Sequence, residues 1–336
     1  MAFTNLVKKI NERSIITCMR DGKAHTKQEL ARLTGLSFPT VGKVIEELVR
    51  DNMIFGLGVD LESQGGRKAE LYKINQDFAH VLLLFLQGKK VYYRISDALG
   101  EILESGEKED EEALPFALLK ECLVERLLSD TQIKAVAVGV PGSVHNGTVY
   151  CMDGYEGMVG RNIAGELYEQ AKVPVIAANN MNIVAMGMAK EETTVCIHLA
   201  DTGPGLGAVV NGRVVCGFSG FQGEVGFMPL YGEKNVQDVA LDGFVQVSAG
   251  ECMAKVIACV CTVLNPSRVI CYLEPDESVL RQEITQGCQR YLPGYAQPEL
   301  VFDRNYKADY LAGLTTAGLA LLYQDGVTEY EQIGQE

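Results

Sequence analysis

Apolar residues at Phe3, Leu6, Val7, Ile10, Ile15 and Ile16 keep largely to one face at helical spacing, which predicts an amphipathic helix over 3–20. Thr26-Lys27-Gln28-Glu29 has the spacing of a capping box, in which the Thr hydroxyl accepts the Glu amide and the carboxylate reaches back. A second helix therefore starts there, with Leu30 and Leu33 on one face and Gly35 as its stop. Ser37 caps a third, which has Pro39 in its first turn and an apolar stripe of Val41, Val44, Ile45, Leu48 and Val49. Two helices joined by so short a Gly-containing turn make a helix-turn-helix. Strand-like runs at 53–59 and 69–74 then close through Glu62-Ser63-Gln64-Gly65-Gly66-Arg67-Lys68, a hairpin wing with two cations at its tip.

From residue 80 the pattern becomes α/β. Runs at 80–86, 90–95 and 101–105 read as three strands of an antiparallel meander, turned at Gln87-Gly88-Lys89 and Asp97-Ala98-Leu99-Gly100. The acidic stretch 107–112 reads as a solvated loop or helix start. A helix over 114–128 leads to a buried strand over 134–140 that stops at Pro141-Gly142. A helix over 162–171, a strand over 173–177 and a helix opened by Asn179-Asn180 follow. A strand over 194–200 passes through the glycine-rich stretch 201–207, read as a turn, into 208–211, and Asn211-Gly212 makes a hairpin. Long helices are expected over 241–264 and 308–324, flanking a strand over 268–271.

A chain of 336 residues with 47% hydrophobic content has room for two or three cores. Its net charge of −14 argues against nucleic acid until it is divided. Residues 1–75 hold 12 Lys and Arg against 9 Asp and Glu, whereas the remainder holds 18 against 35. The basic surplus thus coincides with the helix-turn-helix, and an acidic body leaves that end as the one to meet a duplex. In this geometry the third helix enters the major groove with its N-terminal residues on the base edges. Ser37, Thr40 and Lys43, with Phe38 beside them, are the candidate readers, and Gly66, Arg67 and Lys68 of the wing would meet phosphate or the minor groove. The expected partner is a double-stranded DNA operator. One small domain carrying +3 makes few phosphate contacts, so two half-sites and a homodimer or higher homo-oligomer are expected.

The ten cysteines are scattered, and their close pair, Cys259-Val-Cys261, has no histidine nearby, which argues against a zinc cluster or a disulfide scaffold. Scattered thiols without a recognisable signal peptide suggest a cytoplasmic protein. The apolar run 81–86 is far too short to span a membrane. No spacing among His25, His80, His145 and His198 suggests a metal site.

Val138-Gly139-Val140-Pro141-Gly142, Asn179-Asn180, Thr202-Gly203-Pro204-Gly205-Leu206-Gly207 and Gly223-Glu224-Val225-Gly226-Phe227, in this order, resemble the ROK family of repressors, open reading frames and sugar kinases. The resemblance covers nearly the whole chain, and a winged helix carrying Gly65-Gly66-Arg67 before such a body is the repressor arrangement. It implies an α/β chain with an N-terminal winged helix-turn-helix followed by a two-lobed actin-like (ribonuclease H-like) ATPase fold. The expected units are 1–75, a first lobe over 76–190 and a second over 191–336, with the C-terminal helix able to return to the first lobe.

Departures from the family pattern bear on activity. The phosphate loop Asp-x-Gly-Gly-Thr of family kinases aligns with Phe85-Leu86-Gln87-Gly88-Lys89. Their catalytic Asp aligns with Asn180, and a carboxamide has no basic lone pair to take a proton. The late Gly-Gly turn aligns with Tyr272-Leu273-Glu274-Pro275, the zinc-binding His with Phe227, and residues 228–251 contain no cysteine. The expectation is a chain that is not an enzyme and needs no metal or cofactor. Gly203, Gly205 and Gly207 match a second phosphate loop, with a tight turn as the alternative. Asn179, Asn180 and Glu224 match sugar-binding positions, with helix capping as the alternative for the two Asn. The function expected is a DNA-binding regulator, a repressor sensing a sugar or sugar derivative. A sugar kinase with an atypical site and a ligand-blind DNA-binding scaffold are the rivals.

Overall fold

The computed structural model describes residues 2–59, 69–110, 112–152, 155, 157–188, 193–200, 203–273, 277–303 and 305–323. The first unit comprises α1 (Ala2–Met19), β1 (His25–Thr26), α2 (Lys27–Thr34), α3 (Phe38–Arg50), β2 (Ile54–Val59) and β3 (Glu70–Ile74), with the strands in the order β1-β3-β2. This is a winged helix-turn-helix. The capping box is complete: Glu29 N donates to Thr26 Oγ1 at 3.2 Å, and Thr26 N donates to Glu29 Oε2 at 2.8 Å. Gly35 ends α2 at φ +70°, a left-handed conformation that costs glycine nothing. Ile15, Ile16 and Met19 of α1 meet Leu30, Val41, Val44, Ile45, Leu48, Ile54, Tyr72 and Ile74 in one core.

Some apolar positions fall outside that core. Leu33 is 52% exposed and opens with Ile10 on a groove between α1 and α2. Leu6, Val7 and Ile10 are likewise exposed, as is Val49. The wing residues Gly66, Arg67 and Lys68 lie outside the described residues.

The body follows with β4 (His80–Gln87), β5 (Lys90–Ser96), β6 (Ile102–Glu109), α4 (Pro115–Ser129), β7 (Ile133–Val140), β8 (Ser143–His145), β9 (Thr148–Cys151), α5 (Ile163–Ala171), β10 (Val175–Asn179) and α6 (Asn180–Gly187). Five strands form one sheet in the order β10-β7-β4-β5-β6, antiparallel within the meander and parallel across β4-β7-β10. Residues 107–109 of the acidic run belong to β6 rather than to a loop or helix. Lys90 stands opposite Glu109 in register, and its ammonium lies 2.8 Å from Glu107 and 2.9 Å from Glu109, so the strand carries its charges paired.

The rest comprises β11 (Thr194–Ala200), β12 (Gly203–Val210), β13 (Arg213–Val214), α7 (Val236–Leu241), α8 (Ala249–Leu264), β14 (Arg268–Tyr272), α9 (Ser278–Tyr291), β15 (Glu299–Asp303) and α10 (Tyr306–Leu322). A second five-stranded sheet runs β13-β12-β11-β14-β15. The helix expected over 241–264 starts only at Ala249, because α7 ends at Leu241, Gly243 and Phe244 both turn left-handed and Ser248 then caps α8. Several elements have no counterpart in the sequence reading, among them β1, β8, β9, α9 and β15. The helix buries little beyond Ile284, Gly287 and Cys288, so its apolar period is faint. The last helix, α10, packs on α6 and lies along β4 and β7 of the first sheet.

Candidate functional site

Two surfaces carry the candidate residues. The first is the N-terminal turn of α3. Ser37 accepts the Thr40 amide at 3.4 Å, and its hydroxyl lies 2.8 Å from that of Thr40. The pair leaves one hydroxyl hydrogen and several lone pairs for another partner. Phe38 stands beside them 57% exposed, and Ser37, Pro39 and Lys43 are exposed while Thr40 is half-buried. The opposite face of α3, at Val41, Val44, Ile45 and Leu48, supplies the unit's core, so burial of that stripe presents this turn to solvent. Lys43 has no ion pair among the described residues, whereas Lys8 lies 3.3 Å from Glu47 and Arg50 lies 3.5 Å from Asp51.

The second surface is a cleft of about 490 Å³ lined by residues of both sheets. Asn179, Asn180 and Glu224 all line it, together with Gln87, Tyr155, His198 and Gln237, which the sequence did not mark as sugar-binding positions. Asn179 ends β10 and caps α6: its Oδ1 accepts the amides of Met181 at 2.7 Å and Asn182 at 3.2 Å, and its Nδ2 donates to Gly142 O at 2.9 Å. The capping alternative therefore holds for Asn179, one residue earlier than expected, because α6 begins at Asn180. Asn180 accepts the Met181 amide at 2.9 Å and donates to Tyr306 Oη at 3.1 Å. Glu224 is half-buried at the start of a single 3₁₀ turn over Val225–Phe227. Phe227, at the position where the family pattern has His, is 44% exposed, its ring 5.3 Å from that of Phe221.

Aromatic rings fill the floor between the sheets. Phe85 is buried in β4, stacked on Tyr92 at 5.0 Å with the Tyr310 ring edge-on at 5.5 Å. The Tyr310 ring lies 6.0 Å from that of Tyr306, which stacks on His198 at 4.6 Å and meets Tyr272 edge-on at 5.4 Å. Burial pushes the Tyr306 and Tyr310 phenols well above their ordinary range; burial and a 2.7 Å hydrogen bond to Asp309 do the same for Tyr272. These hydroxyls stay protonated and act as neutral partners. The amide of Gly88, in the stretch aligned with the first phosphate loop, already donates to Tyr155 Oη at 3.0 Å.

Gly203, Gly205 and Gly207 all lie within β12, paired with β11, so the strand starts earlier than the turn read over 201–207 allowed; residues 201 and 202 lie outside the described residues. The reason is packing. A Cβ on Gly207 would stand 2.2 Å from the Met181 carbonyl oxygen, so the glycine lets α6 sit directly on the strand. Burial also raises the thiols of Cys196, Cys271 and Cys288 to about 12, and those of Cys122 and Cys261 to about 11, which leaves them as inert core residues. Among the described residues no three His, Cys, Asp or Glu side chains stand close enough together to hold a metal ion, and no helix is long and apolar enough to cross a membrane.

Fold and cleft together define a winged helix-turn-helix joined to a two-lobed, sugar-kinase-like body. Residues 87–252 match the ROK family and form a ROK-family domain within the body. A solved ROK family transcriptional regulator, described as a homologue of the E. coli MLC protein, superposes with a TM-score of 0.78 at 19% identity, covering 96% of this chain and 99% of that one. The ROK hexokinase of Thermus thermophilus superposes at 0.61 and 19% identity, covering 74% of this chain and 100% of its own. Among sequences, the xylose repressor of Bacillus spizizenii is 22% identical over 242 residues, which cover 68% of this chain. The match spans under two thirds, 63%, of that repressor's length.

Proposed function

We propose that the chain is a DNA-binding transcriptional repressor whose body binds a sugar or sugar derivative and transfers no phosphate. The observation that carries this reading is the N-terminal turn of α3, where Ser37, Phe38 and Lys43 stand exposed on a helix whose other face is locked into the core. That is the geometry a major-groove reader requires. Ser37 and Thr40 offer hydrogen bonds to base edges, Phe38 an apolar contact for a thymine methyl, and Lys43 a phosphate or guanine contact. Gly66, Arg67 and Lys68 of the wing would grip the backbone beside it. The functional units are 1–75, 76–190 and 191–336, with α10 shared with the first lobe.

Phosphoryl transfer needs metal, positioning and a base acting together. A buried Phe85 and a carboxamide at Asn180 stand where the family pattern has carboxylates, which supports a body without turnover. The cleft keeps two carboxamides and one carboxylate, Asn179, Asn180 and Glu224, suited to vicinal hydroxyls. The effector would act by favouring a lobe arrangement in which the two wings of a homodimer no longer match the half-site spacing. Relatives named xylose repressor, and the solved structure named a transcriptional regulator, support the same reading.

The test is selection of bound duplexes from a random pool, with and without a panel of pentoses and hexoses. Enrichment of a defined site that a sugar abolishes is the expected result. No enrichment, or ATP turnover above a no-enzyme blank over the same sugars, would overturn the reading.

A further inference from the structure

Helix α10 runs from the cleft to the junction between the winged helix and the first sheet. It runs seventeen residues, so at 1.5 Å per residue its ends lie about 25 Å apart. At its first residue, Tyr306 accepts the Asn180 carboxamide at 3.1 Å and stacks on His198 at 4.6 Å. Both partners line the cleft, and Tyr306 stands behind them. Just past its other end, buried Tyr323 donates from its hydroxyl to Ala98 O at 2.7 Å. The same ring lies 6.0 Å from Phe78 and beneath the Arg20 guanidinium at 5.3 Å. Arg20 directly follows α1, Phe78 lies four residues beyond β3, and the Ala98 amide donates to Gln76 O at 2.9 Å. Tyr323 therefore sits at the junction of the winged helix and the first sheet.

Between these ends the helix has little room to bend. A Cβ on Gly313 would stand 1.8 Å from the Ile183 carbonyl oxygen, and one on Gly318 would stand 2.5 Å from Val81 Cγ1. The backbone thus lies flat against α6 and β4. One hydrophobic cluster runs without a break from Ile15 and Met19 through Ala98, Leu319 and Leu314 to Tyr310 and Met181. Close-packed interiors transmit displacement rather than absorbing it.

We propose that Tyr306 is a positioning residue of the cleft, and that α10 carries the state of the Asn180 carboxamide to the Tyr323–Arg20 junction and so to the winged helix. A hydroxylated ligand that accepts the second N–H of Asn180 Nδ2, or donates to its oxygen, draws on the same amide group that donates to the Tyr306 hydroxyl and repositions it. The anchor of α10 changes with it, and Tyr323 shifts the junction. This rests on the sugar-effector reading for its ligand, but not for the link between the two ends.

The test is a double-mutant cycle on operator affinity without ligand, using Tyr306→Phe and Tyr323→Phe, each of which removes one hydroxyl and keeps the ring. Residues this far apart act additively unless coupled, so the double variant is expected to depart from additivity by roughly threefold or more in Kd. Additivity overturns the proposal. In a second arm, D-xylose and D-glucose are titrated against each protein. Tyr323→Phe should keep the wild-type rise in thermal midpoint with sugar while DNA release weakens at least about threefold, and unchanged release overturns the proposal. If neither sugar moves the wild-type midpoint, the sugar reading loses its support, while the ligand-free cycle still decides for or against α10.

Discussion

Single residues in this protein do two jobs, and the pairing tells what their removal should do. Thr40 holds the Ser37 hydroxyl at 2.8 Å and also faces outward on α3. Thr40→Ala should relax base preference at one position, by about 1–3 kcal/mol in discrimination against the wrong base, while leaving the salt slope of binding unchanged. Arg67→Ala should do the reverse, weakening all duplexes alike and lowering the slope by about 0.9 for each phosphate no longer neutralised. Gel shifts across a salt series and a set of single-base operator variants separate the two outcomes, and equal affinity for Arg67→Ala would remove the wing from the interface. Asn179 is committed on both sides of its carboxamide, to two α6 amides and to Gly142 O. Asn179→Ala should therefore cost about 1 kcal/mol or more of stability as a lost cap, read as a lower denaturant midpoint, whether or not a sugar binds there.

At the level of elements, the fit of α6 against β12 rests on the absence of a side chain at Gly207. Gly207→Ala places a methyl group 2.2 Å from a backbone oxygen, which has no flexible end to yield. A loss of about 1–3 kcal/mol is expected from such overpacking, measured as a fall in thermal midpoint with no change in DNA site preference. The same glycines show where sequence reading stopped. Gly203-Pro204-Gly205-Leu206-Gly207 looks like a turn because glycine is a strand breaker, and only the helix lying across it explains a strand there. Capping boxes and alternating apolar runs were legible, since Thr26-Glu29 and Ser37 act within one turn of chain and β4 is bounded by its own pattern. The cleft was half legible. Asn179, Asn180 and Glu224 sit in motifs, whereas His198 lies inside a strand and Tyr306 at a helix start, with nothing local to mark either as a neighbour of Asn180. Their association comes from the second sheet and α10 closing on α6, which no window of sequence contains.

For the whole molecule, charge and size decide how a duplex would be held under the proposed function. The winged-helix region, residues 1–75, carries a surplus of three cations, on a chain whose total is −14. So small a surplus would make few phosphate contacts and bind weakly at physiological salt, and the acidic body would oppose approach in any other orientation. Useful affinity then requires two copies on one duplex, with two-fold symmetry in the site they select. The duplexes recovered from a random pool should hold inverted half-sites whose centres lie about 10 base pairs apart or a multiple of that, because both α3 helices must enter the major groove from one side. Sedimentation of the free protein should find a dimer or larger, and its binding should fall with a salt slope near twice that of a single half-site. A monomer bound to a solitary, asymmetric site with the full affinity would contradict this. It would mean that one small basic unit holds a duplex against the field of its own body, and the electrostatics of the chain give it no means to do so.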